Sequence, residues 1–388
     1  MPNESAPDYV ARAFELADLV RSAASAGEAS GQVDSRVAAA FAAAGFFRMM
    51  VPRLLGGGEA DALTMVETID AVSRADGAAG WTVMIGATTG TSSTQLPLEG
   101  AREIFGDPNG LVVGVVAPRG RAVRVEGGFR VTGTWPFGSG SGAANWIAGG
   151  AVVQGPEGPE MISDNVPHAR MMFFRRPDVS IEDTWHVSGL RGTGSNDFSV
   201  TDVFVPGHHS YAMGAHSDWA HSPAFRFPFF GILAAGVAAV ATGIGRAAID
   251  ELARLAAAKT PTGSRRLLAE RAAAQSGIAE AEALLRSGRG FLLGTIRETW
   301  DAVQTGERIT TAQKALLRLA ATTAALNAAK AVDICYNLGG ASSIYESNPL
   351  QRHFRDIHTV TQHVMVGQPT LEVAGRIMLG LPTDTSTL

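Results

Sequence analysis

Three histidines, His353, His358 and His363, recur at five-residue spacing toward the C-terminal end of the sequence. On a straight helix that spacing turns each ring about 140° from the last, so the three do not converge on one metal. The residues around them sort more cleanly. Arg352, Arg355, Asp356, Thr359 and His363 fall on one side of a helical wheel, and Leu350, Phe354, Ile357, Val360 and Val364 on the other. A polar stripe of this kind is either a solvated face or the wall of a cleft, and periodicity does not separate the two. A second group, His208, His209, His216 and His221, falls in a loop-like stretch and reads as solvated loop histidines rather than ligands.

Two glycine-rich stretches, GSGSG at 138–142 and GTGSND at 192–197, have the look of phosphate cradles. A dinucleotide-binding loop should follow a strand and open a helix, but the first runs into AANWIAGG, which reads as strand. No GK[ST] follows either stretch, and the sequence has no HExxH and no GxSxG. The single cysteine, Cys335, excludes a disulfide scaffold and a cysteine-rich zinc site, and fits a reducing cytoplasm. Of 32 basic residues only Lys259, Lys314 and Lys330 are lysines, which leaves few candidates for Schiff-base chemistry.

The elements that must position these residues fall into three parts. Residues 1–108 read as an N-terminal helical domain. Helices are expected over 9–26, over 33–44 with Asp34 or Ser35 as N-cap, and over 62–75, where Leu63, Val66, Ile69 and Val72 recur every third residue. From Leu111 the period changes to two, and short β-branched runs separated by Gly, Pro and Asp predict a β sandwich or small barrel over 109–222, with a hairpin at Glu126-Gly127-Gly128. Residues 223–388 carry long Ala-, Leu- and Arg-rich segments near 227–258, 265–303, 308–338 and 349–379, the pattern of a four-helix bundle. The fold class is mainly α with a central β domain. Phe227 to Ile244 lacks any charge, but its Ala and Gly content suits a helix buried inside a bundle better than a membrane span.

Composition narrows the function classes. A net charge of −5 and no basic face argue against nucleic-acid binding, and 46% hydrophobic residues against 18% charged ones exclude wholesale disorder. The start MPNESAPDYV has no basic run leading into an apolar one, so no signal peptide is expected.

The order of helices, β domain and helical bundle, with the blocks LLGGGEAD, SRADGAAGWTVMIG, GTWPFGSGSGAANW, VSGLRGTGSNDFSVTDVFVP and YNLGGASSIYESNPLQRHFRDIHTVTQH, resembles the acyl-CoA dehydrogenase fold over nearly the whole chain. The resemblance implies a flavin held between β domain and bundle. Phe137 and Ser139, flanking Gly138 and preceded by Trp135, match the aromatic and hydroxyl residues of that family's flavin strand, with the hydroxyl near the flavin N5. Gly339-Gly340 matches a turn that reaches a neighbouring subunit's cofactor, and Arg355-Asp356 matches an Arg-Asp pair of the same region. The resemblance also implies a homotetramer.

Many dehydrogenases of that fold carry a catalytic Glu eight residues past the Asp. Here Val364 stands there, and it removes no proton. The β-domain block and RDIHTVTQH instead resemble the two-component flavin monooxygenase branch. That branch takes reduced flavin, FMN or FAD, from a separate NAD(P)H:flavin reductase and uses it with O2, by way of a C4a-hydroperoxyflavin, to hydroxylate or N/S-oxidise a small aromatic molecule. His363 matches a histidine that this branch places near the flavin, where an imidazole titrating near neutrality would handle protons. Trp81 and Phe137 would help keep the substrate pocket dry, and Ser139 would donate at N5. Two alternatives remain at this point: a flavin dehydrogenase or oxidase with Asp356, Glu372 or a loop histidine as base, and a non-catalytic relative. Arg265 and Arg266 are candidates for a cofactor phosphate.

Overall fold

The computed structural model describes residues 7–388 apart from 165, 216 and 217. His216 and the first six residues therefore lie outside the described residues. Acidic caps start most of the N-terminal helices. Asp8, Asp34, Asp61 and Asp76 each accept a backbone N–H from the first turn of α1 (Tyr9–Glu15), α3 (Ser35–Ala43), α4 (Ala62–Ser73) and α5 (Gly77–Gly90). The helix expected over 9–26 is two: α1 ends before Leu16, and α2 covers Ala17–Ser30. Helix α6 (Leu98–Phe105) completes the domain. Helix α5 is buried along most of its length. It packs tightly on α4 because Gly80 has no side chain: a Cβ there would lie 1.9 Å from Ser73 Oγ.

The middle domain contains β1 (Val112–Val125), β2 (Gly128–Trp135), β3 (Trp146–Gly155), β4 (Gly158–Pro159), β5 (Met161–Ser163), β6 (Val166–Pro167), β7 (Ala169–Arg175), β8 (Ser180–Glu182), β9 (Asp197–Pro206) and β10 (Ser210–Ala212). The main sheet runs β10-β7-β3-β1-β2-β9-β8, with β4 on β3 and a separate β5-β6 pair. Val125 pairs with Gly128, so the expected β1–β2 hairpin turns at Glu126-Gly127. Strands β1 and β3 pair in parallel, which alternation alone does not reveal.

The sheet curls around Trp135, which is fully buried. Its indole stacks on Phe198 at 5.1 Å, tilts against Phe174 at 5.7 Å and donates its N–H to the Gly150 carbonyl at 2.8 Å. Glycines on neighbouring strands admit it, since a Cβ at Gly120 or Gly149 would fall 2.5 or 2.6 Å from the ring. Trp135, expected to touch the cofactor, is thus the pivot of the β-domain core and supports the turn that follows it.

The C-terminal domain is built from α7 (Phe229–Ala258), α8 (Ala272–Thr305), α9 (Thr311–Gly339), α10 (Pro349–Val360) and α11 (Pro369–Met378). Helix α7 is long and apolar enough to cross a membrane, but most of it is buried in the protein. It packs against α4, where Thr242 donates to the buried Asp70 carboxylate at 2.8 Å and a Cβ on Gly243 would meet the Asp70 carbonyl at 2.5 Å. The segment expected as one helix over 349–379 breaks. Helix α10 stops at Val360, and turns fill the gap to Pro369. Thr361 closes α10 well before Pro369, and that break ends the continuous wheel.

Candidate active site

Helix α5 brings the first site residue to the centre of the molecule. Asp76 caps its start by accepting from Ala79 N–H at 2.8 Å, and Trp81 lies one turn in, buried. Its indole N–H donates to Ser139 Oγ at 3.1 Å. Ser139 belongs to the turn after β2, which is zipped to residues 193–196: Gly138 N–H donates to the Asn196 carbonyl and Gly140 N–H to the Thr193 carbonyl, both at 2.9 Å. Only 6% of Ser139 is exposed. It is a packed, bonded residue and not the loosely held edge serine that its glycine neighbours suggest.

The hydroxyls continue as a run. Ser139 Oγ lies 2.6 Å from Ser195 Oγ, and Ser195 Oγ lies 2.7 Å from Thr193 Oγ1. Thr193 donates to the Leu190 carbonyl at 2.8 Å. An indole nitrogen only donates and Thr193 spends its proton on a carbonyl. One direction therefore satisfies every member: Trp81 to Ser139 to Ser195 to Thr193 to Leu190. Leu190 N–H in turn donates to Asp356 Oδ1 at 2.6 Å, so α10 holds the far end of the run. Leu190 sits at φ 51°, a left-handed conformation that costs a non-glycine residue of order 1 kcal/mol and marks a built turn. Thr193 and Ser195 were missed as site residues from sequence. Their signal lies in GTGSND, two hydroxyls spaced by glycine, a pattern that suits a hydrogen-bonded turn as well as a phosphate loop.

Phe137 stands at the mouth of the same turn with φ 65° and 67% of its surface exposed. Its ring meets Trp185 edge-on at 6.3 Å, and Trp185 donates its indole N–H to the Leu190 carbonyl at 3.1 Å. The Ser141 hydroxyl in the turn is buried without a hydrogen-bond partner among the described residues. A strained turn, an exposed Phe137 backed by the half-buried Trp185, a hydroxyl run and an orphan hydroxyl suit the edge of a flavin ring, whose nitrogens and carbonyls need both donors and acceptors.

His363 approaches from the bundle side. Its ring meets the Trp81 indole edge to face, with centroids 5.4 Å apart. It lies past the end of α10, in the turn before α11, so it does not share a helical face with Asp356, and Asp356 does not hold its ring. Its Nδ1 accepts from the Met365 N–H at 3.3 Å. A neutral imidazole whose Nδ1 accepts carries its proton on Nε2. Burial, reinforced by the nearby Arg318 cation, pushes its pKa down to about 4. The expectation of a ring titrating near neutrality is therefore corrected: His363 is a neutral Nε2–H donor at physiological pH.

Arg318 on α9 sets that turn. Buried and without a carboxylate partner among the described residues, it donates to the Met365 carbonyl at 3.3 Å and the Val364 carbonyl at 3.5 Å, and also binds the Thr387 carbonyl in the C-terminal tail. Val364, at the position of the dehydrogenase glutamate, is 73% exposed.

Other expected residues fall elsewhere. Arg355 donates to the Ser188 carbonyl at 2.6 Å and pairs with Glu28 at 2.5 Å, tying α10 to the β-domain loop and to α2. Asp356 is buried, and burial with the charge of Asp76 pushes its pKa up to about 7. Gly339-Gly340 close α9: Gly340 takes φ 56°, and the Gly339 carbonyl accepts from Lys259 Nζ at 2.7 Å. Arg265 and Arg266 are exposed and remote in sequence from the run. His209 is buried, contrary to the solvated loop expected.

A small, partly open pocket of about 40 Å³ lies along the same helix. Ile85, Thr88 and Thr89 line it from the same stripe of α5 as Trp81, four, seven and eight residues on, and Ser92 joins them from the 3₁₀ turn after the helix. Val116, Met171 and Phe229 close the far side.

The architecture and this site define a protein of the acyl-CoA dehydrogenase fold. Residues 235–368 match the family described as acyl-CoA dehydrogenase, C-terminal domain. Over 95% of its length the chain is 35% identical to an indole-3-acetate monooxygenase of Pseudomonas putida, covering 93% of that protein. It is 26% identical to the oxygenase component of an FADH2-dependent resorcinol hydroxylase of Rhizobium sp. (strain MTP-10005), covering 96% of this chain and 94% of the relative. XiaF from Streptomyces sp., solved with FADH2 and glycerol, superposes with a TM-score of 0.90 at 25% identity, covering 96% of this chain and 95% of that one. The chain belongs to the flavin-dependent monooxygenases of this fold, and its chemistry runs on reduced flavin.

Proposed function

We propose that the chain is the oxygenase component of a two-component system. It takes reduced flavin, FMN or FAD, from a separate NAD(P)H:flavin reductase and adds one oxygen atom of O2 to a small planar aromatic molecule. The observation that carries this reading is the run from Trp81 through Ser139 to Leu190, met at Trp81 by His363 and continued along α5 by an uncharged cavity.

Each residue has a role in that chemistry. Reduced flavin, when bound, supplies the electrons that activate O2. Ser139 spends its proton on Ser195, which corrects the donor role expected of it: its oxygen accepts from a ring N–H, and the Trp81 N–H fixes its position. Phe137 and Trp185 cover the ring's outer edge. His363 donates from Nε2–H without carrying a charge, which polarises an oxygen atom while giving up no proton in the resting state. The cavity wall of Ile85, Met171 and Phe229 keeps water out, and Thr88 and Thr89 offer hydroxyls to orient a polar substituent. Asp356 and Arg355 hold the loop that ends the run. We further propose a cytoplasmic homotetramer in which the Gly339-Gly340 turn, followed by the exposed Ile344 and Tyr345, reaches a partner's cofactor.

The test is turnover. The protein is mixed with reduced FMN or FAD in air and offered an aromatic panel that includes indole-3-acetate. Oxygenated product formed in step with flavin oxidation is expected. H2O2 as the sole product across the whole panel overturns the proposal.

A further inference from the structure

Away from the site described above, the 3₁₀ turn after β9 carries His208 and His209 against Glu103 of α6. His209 Nε2 lies 2.7 Å from Glu103 Oε2, and His208 Nε2 lies 3.5 Å from Glu103 Oε1. The three donor atoms all fall within 4.8 Å of one another. Two imidazole nitrogens and one carboxylate oxygen form a donor set that zinc accepts, and ligands about 2.0–2.2 Å from zinc stand roughly 3.3 Å apart in a tetrahedral arrangement. The His208–Glu103 pair already has that separation. The His209 contact is with the other oxygen, Oε2, so it must open by about half an ångström while the carboxylate turns or binds through both oxygens.

The cluster is held by backbone packing. Gly100 on α6 lies against the turn so closely that a Cβ there would be 1.8 Å from the His208 carbonyl oxygen. The His209 side chain is only 6% exposed and meets Trp146 edge-on at 5.1 Å. Glu103 and His208, at 42% and 32% side-chain exposure, leave the outer side open to water as a further ligand. A buried ring, a constrained turn and an open outer position distinguish this cluster from a mobile surface ion pair.

We propose that Glu103, His208 and His209 form a zinc site that staples the N-terminal helical domain to the β domain, distinct from the oxygenation site. Both imidazoles ligate through Nε2 as neutral rings with the proton on Nδ1, and Glu103 supplies one negative charge. The charged group facing the site is Arg175. It lies over the Trp146 ring at 5.5 Å, and its charge acts on both Glu103 and His209. That cation opposes a second cation, so it weakens the affinity, and its removal strengthens it.

The experiment loads the full-length protein with Zn2+, removes excess by gel filtration and measures metal by elemental analysis. About one equivalent per chain is expected in the wild type, and a small fraction of that in Glu103→Gln and in His209→Gln. Arg175→Gln should bind several-fold more tightly. Co2+ in place of Zn2+ should give visible d–d absorption that both ligand variants lose. Excess Zn2+ should raise Tm by about 2–5 °C in the wild type and not in those variants. Uptake that is negligible in the wild type, or that persists in both ligand variants through other histidines, overturns the proposal. If His209→Gln fails to fold, Glu103→Gln, which keeps the side-chain shape, decides alone.

Discussion

The imidazole of His363 meets the indole of Trp81 edge to face at 5.4 Å, and the same indole donates to Ser139. One side chain of α5 thus joins the turn before α11 to the β-domain turn. A tryptophan does this with two different parts of its ring system: the π face and edge pack, and the N–H bonds. The residues assigned to flavin and to proton handling are held in common and should respond together when Trp81 changes.

Ser139→Ala tests the bonded half of that relationship. The variant removes the only hydrogen-bond acceptor that the Trp81 N–H has among the described residues, and both groups are buried, so stability should fall by about 1–2 kcal/mol. Coupling of flavin oxidation to product should fall as well, with more H2O2 released per flavin oxidised. Trp81→Phe in the same background removes the stranded donor and should recover part of the lost stability without recovering coupling. Chemical denaturation of the four proteins of this cycle gives the interaction energy. Strict additivity would show that the 3.1 Å contact contributes nothing.

His363→Ala should fold and bind flavin but lose coupled product formation by about 10²-fold. The wild-type rate should show no inflection at the ordinary imidazole value of 6.5, because the ring titrates at about 4. Stability follows the same shift. The folded pKa lies below the unfolded one, so the contribution is intact above about pH 6.5 and is lost as pH falls toward 4. A ¹⁵N NMR titration of the ring reads both the pKa and the Nε2–H tautomer. A midpoint near 6.5 would contradict the neutral-donor role.

Much of this arrangement is legible in the sequence, and the parts that are not share a physical cause. Period-two runs predict β1, β2, β3, β7 and β9, the Asp34 cap predicts the start of α3, and the uncharged composition of 227–244 predicts the buried α7. Ser139 and His363 are found through residue blocks. Their surroundings are not, because Trp81, the Thr193–Ser195 turn and Asp356 come from three separated segments and meet only through tertiary packing. The helical wheel misled at His363, since α10 ends at Val360 and turns fill the segment from there to Pro369. Trp135 misled in the opposite sense: a tryptophan beside a flavin motif looks like a cofactor contact, yet glycines on β1 and β3 show that the sheet was shaped to bury it.

Arg318→Met tests how the His363 turn is set. The guanidinium binds carbonyls of Val364, Met365 and Thr387, and no single uncharged side chain replaces three such bonds. Loss of the cation should let the His363 pKa rise toward 6.5, because a nearby positive charge no longer opposes protonation. The C-terminal tail should become more sensitive to protease, and coupling should fall with flavin affinity little changed. An effect confined to thermal stability, with the imidazole titration unmoved, would reduce Arg318 to a packing residue.

Asp356→Asn separates the structural and electrostatic parts of the α10 anchor. The carboxylate accepts Leu190 N–H at 2.6 Å, and an asparagine Oδ1 can accept the same bond. What the substitution removes is ionisation. Burial and the charge of Asp76 raise the Asp356 pKa from 3.8 to about 7. With the folded pKa above the unfolded one, the contribution to stability is fully present below about pH 4 and is lost as pH rises to 7. The wild type should therefore lose stability over that window relative to Asp356→Asn, by roughly 1–3 kcal/mol at neutral pH after allowing for relaxation of the site. Denaturant midpoints at pH 5 and pH 7.5 measure it, and reduced-flavin binding checks that the loop is still in place. If the two proteins show parallel midpoints at both pH values, Asp356 ionises in the folded state as an ordinary carboxylate. Its hydrogen bond to Leu190 is then that of a charged acceptor, and Asp356→Asn should weaken that bond.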